Sequence, residues 1–92
     1  LEDGAGAVWF GTYGGGVCRF HEGRFRTFDH GSGFRSDMVR SLWEDSKGRI
    51  WAGTYGGGLH RIEGDAVATF TREDGLSNDF IFSVSFNIDN IF

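Results

Sequence analysis

The stretch WFGTYGGGVCRF at positions 9–20 returns as WAGTYGGGLHRI at positions 51–62. Laid over each other at an offset of 42 without a gap, residues 9–50 and 51–92 share 13 identical positions, of which six are the consecutive letters GTYGGG. A repeat of this period is typical either of stacked helical pairs or of four-stranded propeller blades. The local chemistry between the two copies has to decide between them.

That chemistry favours strands. Segments rich in β-branched and aromatic residues lie at 38–44, 50–55, 59–62 and 66–71, and glycine-containing turns separate them at 45–48, 56–58 and 63–65. No long window carries apolar residues at the spacing of a helix. The strands have apolar or small residues on both faces, which indicates sheets covered on two sides, as in a propeller. The sequence therefore predicts an all-β fold of four-stranded antiparallel β-propeller blades with a 42-residue repeat.

Composition agrees with this prediction and excludes other classes. Sixteen glycines, no proline, ten Phe, three Trp and two Tyr suit short strands joined by tight turns and rule out a disordered linker. A net charge of −4 argues against a nucleic-acid partner. No run approaches the roughly 18 apolar residues of a membrane helix, so no membrane contact is expected of this segment. Cys18 has no second cysteine to pair with, and we interpret it as a small apolar strand residue.

Counting strands divides the chain into three parts. Residues 1–36 are expected to form a partial blade of three outer strands, residues 37–78 a complete blade, and residues 79–92 the inner strand and turn of a third. The chain starts in mid-pattern, so we expect it to be a piece of something longer. Two repeats cannot close a ring, and each blade needs neighbours on both faces. The expected partners are therefore other blades of the parent propeller or copies of the same chain.

Several motifs could suggest catalytic or cofactor chemistry, but each has a simpler explanation. The GTYGGG loops lead into strands, whereas a phosphate-binding loop needs a helix after its glycines. The three histidines lack metal-ligand spacing, and Lys47 places a positive charge in the loop at 45–48 that otherwise faintly resembles a calcium loop. The adjacent carboxylates Glu44 and Asp45 suit a turn better than acid–base catalysis. We predict no catalytic residue, no metal site and no cofactor.

Residues that recur between the copies are predicted to support the fold. Trp9 and Trp51 are expected in the core between blades, and a glycine near each allows close approach of the sheets. Arg19 and Arg61 are expected to stack between blades or to pair with a carboxylate. The structural set is Trp9, Trp51, Gly11, Gly53, Arg19, Arg61 and the turn glycine Gly48.

The repeat resembles the regulator-propeller repeat of hybrid two-component sensors. That blade pattern has Glu-Asp, a glycine turn, an apolar residue and Trp, then Gly-Thr, Gly-Gly-Leu and an Arg, with an Asp-Gly-Leu-Ser-Asn loop to the next blade. The matching positions are Glu44, Asp45, Gly48, Ile50, Trp51, Gly53, Thr54, Gly57, Gly58, Leu59, Arg61 and residues 74–78, and in the first copy Glu2, Asp3, Gly6, Trp9, Gly11, Thr12, Gly15, Gly16 and Arg19. The resemblance implies an extracytoplasmic, periplasmic sensor region that detects carbohydrate.

Two segments depart from this pattern. The third copy has Phe86 and Asn87 in place of the Glu-Asp pair, and Asn90 in place of the turn glycine. The loop at 30–36 replaces the Asp-Gly-Leu-Ser-Asn loop with a looser sequence. Asn tolerates positive φ, so the turn can survive in the third copy.

In a propeller, the turns between second and third strands share a rim with the loops between blades. Aromatic and polar side chains there would suit a sugar, with a ring to stack on it and polar groups to address its hydroxyls. The candidate ligand-binding residues are Tyr13, Tyr55, Arg35, Arg40, Asn78 and Asp79.

Three functions stay open from the sequence. The first is a non-enzymatic ligand-binding fragment of a sensor propeller, with an oligosaccharide as its ligand. The second is a structural module that completes a ring by oligomerisation. The third is a piece of a propeller enzyme, such as a polysaccharide lyase or a lactonase, which a carboxylate or His cluster at the channel mouth would favour.

Overall fold

The computed structural model describes residues 1–71 and residue 73, and they form two antiparallel sheets. The first sheet has three strands in the order β1-β2-β3, and the second has four in the order β4-β5-β6-β7. The strands are β1 (Val8–Gly11), β2 (Val17–His21), β3 (Arg24–Phe28), β4 (Val39–Glu44), β5 (Ile50–Thr54), β6 (Leu59–Glu63) and β7 (Ala66–Phe70). A 3-10 turn lies at His30–Ser32, between the two sheets. The all-β prediction is confirmed.

The two sheets repeat the same hydrogen-bonded register. Trp9 lies opposite Arg19 in the first sheet, and Trp51 lies opposite Arg61 in the second. The β2–β3 and β6–β7 hairpins both have two-residue turns, but the glycine is the second turn residue in the first (Gly23) and the first turn residue in the second (Gly64). Glu22 and Gly23 both have positive φ in the first turn, whereas only Gly64 does in the second, and these are the patterns of the two turn types that suit twisted hairpins.

Glycine is required where the long turn of each repeat enters its next strand. Gly58 has a φ of 80°, and a Cβ on it would lie 2.3 Å from the carbonyl oxygen of Phe70. Gly16 repeats this arrangement against Phe28, at 2.2 Å. A side chain there would meet backbone rather than a movable group, which explains why these glycines recur.

The core lies between the two sheets. Trp9, Val17 and Phe28 of the first sheet pack in one cluster with buried residues of the second, including Ile50, Ala52 and Ile62. Gly11 sits where the sheets approach closely, because a Cβ on it would be 2.7 Å from Cγ1 of Val39. Gly11, two residues after Trp9, thus leaves room for Val39 of β4 to pack against β1.

The opposite face of the first sheet is exposed. Side chains alternate across a strand, so Phe10, Cys18, Phe20 and Phe25 share the face turned away from the core. Phe10 and Phe25 are 49% and 70% exposed. The corresponding positions of the second sheet are Ala52, His60, Ile62 and Val67, the first three of them buried. The face that is exposed in the first sheet is therefore largely buried at the equivalent positions of the second sheet.

Candidate functional site

The candidate site is the rim where the β1–β2 and β5–β6 turns meet the loop between the sheets. Tyr13 lies in the first of these turns and is 61% exposed. Arg40 donates a hydrogen bond from Nη1 to the Tyr13 hydroxyl, and its guanidinium lies 5.6 Å from the centre of the tyrosine ring. The two residues, 27 positions apart, are brought into direct contact.

A β-bulge puts Arg40 in this position. Val39 pairs with Thr54 and Ser41 pairs with Gly53, which leaves Arg40 as the extra residue of β4. A bulge turns its extra side chain out of the ordinary alternation of the strand. Arg40 is accordingly exposed and directed to Tyr13 instead of into the sheet.

Backbone hydrogen bonds tie the two rim turns to one segment, residues 36–39. The carbonyl oxygen of Asp37 accepts from the N–H groups of Gly14 and Gly16, at 3.0 and 2.9 Å. The next carbonyl, that of Met38, accepts from the N–H of Tyr55 at 3.0 Å. Tyr13 and Tyr55 are thus held on either side of the same short segment.

Tyr55 and Arg35 lie on the second-sheet side of this rim. Tyr55 is 45% exposed, and its carbonyl accepts from the Ser36 hydroxyl at 2.9 Å. Arg35 is exposed, while its backbone N–H donates to Nε2 of buried His60 at 3.4 Å. The structure therefore places four of the predicted rim residues around one loop. Asn78 and Asp79 lie outside the described residues.

His60 of β6 contacts the loop between the sheets at Phe34 and Arg35. Its ring stacks on Phe34 with 4.1 Å between ring centres, and its Nδ1 is 2.9 Å from the Thr69 hydroxyl. Burial first, and then the nearby positive charge of Arg35, lowers the pKa of His60 to about 4, against the opposing charge of Asp37. His60 is therefore neutral at pH 7 and supports the loop as a stacking and hydrogen-bonding group.

Asp37 holds the start of the same loop, a role that sequence reasoning missed. Its carboxylate accepts from the backbone N–H of His30 at 2.9 Å and lies 2.7 Å from the ring Nδ1 of His30. This hydrogen bond, together with the charges of Asp37 and Asp29, raises the pKa of the exposed His30. The identity of Asp37 with Asp79 in the repeat was the available signal, because it marks a polar position that recurs just before an inner strand.

The predicted structural residues form a column in each sheet. Trp9 stacks on Phe28 with ring centres 5.8 Å apart, and the Arg19 guanidinium lies 5.5 Å from the Trp9 ring. In the second sheet, Trp51, Phe70 and Arg61 repeat this arrangement at 5.7 and 5.6 Å. The other members of the set are found as follows: Gly11 at the contact between sheets, Gly53 buried in β5, and Gly48 with a φ of 77° in the β4–β5 turn.

An aspartate completes each column, and sequence reasoning assigned it only to a turn. Asp45 accepts from two backbone N–H groups of the β4–β5 turn through Oδ1, and from Nε1 of Trp51 through Oδ2 at 2.8 Å. Asp3 does the same for its own turn and for Trp9, at 2.7 Å from the indole nitrogen. The spacing of six residues between Asp and Trp in both copies was the available signal.

No catalytic or metal constellation appears within residues 1–71 and 73. No group of three His, Cys, Asp or Glu side chains comes close enough together to hold a metal ion in this part of the chain. Its carboxylates at Asp3, Asp37 and Asp45 are occupied with backbone and side-chain donors. The rim instead offers exposed aromatic and guanidinium groups, which can stack on and hydrogen-bond to a ligand.

The two sheets and their repeated columns define a class of protein, the β-propeller built from four-stranded blades. The family model described as two component regulator propeller matches residues 33–56, a segment that runs from the inter-sheet loop through β4 to the β5–β6 turn. The resemblance stated from the sequence is thereby confirmed. None of the curated proteins compared with the chain matches it.

Eleven chains of solved structures are similar to this one. Among them is the extracellular domain of a putative hybrid two component system from B. thetaiotaomicron, with 21% sequence identity and a TM-score of 0.58. The alignment covers 92% of this chain and 18% of that one, so this chain spans less than a fifth of the neighbour's length. This likeness establishes the fold as part of a propeller.

Both comparisons lead to regulatory systems. The matching family is described as a regulator propeller, and the solved neighbour as an extracellular domain of a two component system. Neither description is that of an enzyme. Across residues 1–71 and 73, no helix has the length and apolar character needed to cross a membrane.

Proposed function

We propose that this chain is a non-enzymatic, ligand-binding part of an extracytoplasmic, periplasmic sensor propeller, and that its rim binds an oligosaccharide. The observation that carries the proposal is the pairing of exposed Tyr13 with Arg40 at a bulge. An aromatic ring with a guanidinium beside it can stack on a sugar and donate hydrogen bonds to its hydroxyls. Tyr55 and Arg35 offer the same two groups across the segment at 36–39.

The rigidity of the rim supports this role. The backbone that carries the exposed side chains is held by hydrogen bonds to the carbonyl oxygens of Asp37 and Met38 and by one from the Ser36 hydroxyl. A site whose backbone is already fixed loses less conformational entropy on binding than a flexible loop would. The match of residues 33–56 to a regulator propeller and the extracellular neighbour support the sensor setting.

Titration with neutral oligosaccharides tests the proposal. Maltotetraose, cellotetraose and xylotetraose would each be added to the chain while NMR amide shifts are recorded. We expect at least one to shift residues 13–16, 35–40 and 55–57 together, and Tyr13→Ala and Tyr55→Ala to weaken its binding. Phe25→Ala removes an even more exposed ring from another surface and is the control. Shifts outside the rim, or an equal loss in the control, would contradict the proposal.

A second candidate function is that of a structural module that completes a propeller through other blades or copies of itself. The exposed apolar face of the first sheet, with Phe10 and Phe25, favours it. Apolar sheet faces of this kind recruit partners. The two candidates use different surfaces, so one chain can serve both.

A further inference from the structure

The hairpin formed by β2 and β3 concentrates positive charge on an otherwise acidic chain. Three of the nine Lys and Arg residues, together with one of the three histidines, lie on these two strands, against one Glu in the turn. They border a cavity of about 600 Å³. The basic residues are Arg19, His21, Arg24 and Arg26. We refer to this place as the basic cleft.

The register puts all four basic groups on one face. Arg19 lies directly opposite Arg26, and His21 directly opposite Arg24. Residues paired across antiparallel strands share a face, and like charges in such positions destabilise the sheet. The pairing of Arg19 with Arg26 is therefore electrostatically unfavourable within the hairpin.

The second repeat is an internal control for this conclusion. At the positions of Arg24 and Arg26 it has Ala66 and Ala68, and β6 and β7 form the same five-residue ladder. The blade architecture thus requires no charge at either position. Arg19 differs from them in that its counterpart Arg61 is kept and stacks on a tryptophan in the same way. Arg26 also lies over an aromatic ring, that of Phe28, at 4.6 Å, although its counterpart in the second repeat is an alanine.

One carboxylate from the neighbouring sheet partly compensates this charge. Asp65, in the β6–β7 turn, lies 3.4 Å from Nη2 of Arg19 and 3.7 Å from Nε of Arg26, and its side chain is 74% exposed. These are long, solvent-screened contacts of small energetic value. Arg24 has no carboxylate partner among the described residues. The cleft thus keeps an excess of donors that fit carboxylate or sulfate oxygens.

We propose that the basic cleft binds a ligand that carries two or more carboxylate or sulfate groups. Arg24 and Arg26 stand two residues apart on one strand face, about 7 Å from each other at their Cα atoms. Anionic groups at successive positions of an acidic oligosaccharide can engage both guanidinium groups. Arg19, on the neighbouring strand, lines the same cleft and adds a third guanidinium. This site is separate from the rim and does not depend on the function proposed there.

The test uses the full chain and two probes at low ionic strength. Tetragalacturonate supplies carboxylates on an oligosaccharide, and sodium sulfate supplies the free anion, each titrated by calorimetry and by NMR shifts of residues 19–26. Binding of tetragalacturonate with weak or no response to sulfate identifies a polyanionic oligosaccharide as the ligand, whereas equal responses identify a site for free oxyanions and overturn the proposal of a ligand with several anionic groups. No response to either probe overturns the proposal as well.

Variants supply the decisive comparison. Arg24→Ala/Arg26→Ala introduces the residues that the second repeat already has, so the strands are expected to pair as before although the contact of Arg26 with the Phe28 ring is lost. Affinity should fall by about tenfold or more. Lys47→Ala removes one positive charge from another turn and should leave affinity unchanged. Asp65→Asn frees Arg19 and Arg26 and should raise affinity by a factor of about two to five. Equal loss in all variants, or no loss in the double variant, would overturn the assignment.

Discussion

At the scale of single residues, one aspartate in each repeat holds a turn and a tryptophan at once. Asp45 uses one carboxylate oxygen for the backbone of its turn and the other for Nε1 of Trp51 and Nε of Arg49. Burial raises the pKa of Asp45, but the hydrogen bonds from Trp51, Arg49 and Lys47 outweigh it and lower the pKa to about 2. The ionised carboxylate is therefore the form that the fold selects.

Asp45→Asn should destabilise the chain markedly. The amide nitrogen that replaces Oδ2 is a donor and would face the Trp51 and Arg49 donors, which are then left without an acceptor. We expect a loss of about 2–3 kcal/mol in the free energy of unfolding, measured by urea denaturation. Ser46→Ala, an exposed change in the same turn, is the control. Equal stability of the two variants would show that the carboxylate contacts contribute nothing.

His60 should make the stability depend on pH in a window of its own. Its pKa is about 4 in the folded chain and about 6.5 when unfolded, so protonation favours the unfolded state. The contribution of neutral His60 to the free energy of unfolding is fully present above pH 6.5. It should fall by up to about 3 kcal/mol as the pH is lowered from 6.5 to 4. Asp45 contributes a separate loss between about pH 4 and 2, because its folded pKa is lower still.

Denaturation at about pH 7.5, 6.0 and 4.5 measures the His60 effect. His60→Gln keeps a polar side chain but cannot be protonated, so its stability should change much less over this range. A wild-type slope that persists unchanged in His60→Gln would assign the pH dependence to groups other than His60; His30 would not be among them, because its raised pKa favours the folded state as the pH falls.

At the scale of elements, the turns divide into those that only need positive φ and those that also need space. Gly48 has a φ of 77° and no atom within 4 Å of the point where a Cβ would lie, whereas Gly58 has a φ of 80° with backbone at 2.3 Å from that point. The two positions share a backbone conformation and differ in their surroundings. They therefore separate conformational strain from a steric clash.

Gly48→Ala should cost about 1–2 kcal/mol, the strain of a left-handed alanine. Gly58→Ala should cost distinctly more, because the Phe70 carbonyl must move and the β6–β7 pairing must move with it. Thermal melts of the two variants, followed by circular dichroism in the far ultraviolet, measure the difference. Equal melting temperatures would mean that the β5–β6 turn can relax away from Phe70 at no cost.

At the scale of the whole molecule, the first sheet has one packed face and one exposed face. Trp9 and Phe28 are covered by the second sheet, while Phe10 and Phe25 on the other side are open to solvent. In the second sheet, both Ile50 and Trp51, on opposite faces of β5, are buried. A propeller repeats one kind of interface, so the exposed face is the half of that interface that lacks its partner.

The isolated chain should therefore associate with itself. We expect its weight-average mass in sedimentation to rise over a hundredfold increase in concentration, and Phe10→Ser/Phe25→Ser to suppress that rise. Tyr13→Ser removes an exposed ring from the rim and should not. A monomer at every concentration, with a cooperative melt, would contradict this prediction and show that two repeats suffice for a stable fold.

Much of the architecture was predictable because it depends on patterns within a repeat. The strands with two apolar faces and the turn glycines at 48 and 58 can be recognised from the neighbouring residues alone. The described strands of the second sheet accordingly begin and end within a residue of the predicted ones. The rim was predictable as a place but not in its contacts. The contact between Tyr13 and Arg40 depends on a bulge in β4, next to the place where Val39 packs against Gly11 of the other sheet, and no local sequence signal marks it.

The segment at 36–39 has a mechanical consequence. Its consecutive carbonyl groups are bonded to turns that belong to different sheets, Asp37 to Gly14 and Gly16, and Met38 to Tyr55. The two carbonyl groups belong to successive peptide planes joined at the Cα of Met38, so a displacement of one turn strains hydrogen bonds next to those that hold the other. We therefore expect a displacement of the Tyr13 turn, for example on ligand binding, to be transmitted to the turn of Tyr55 through the adjacent carbonyl groups of Asp37 and Met38.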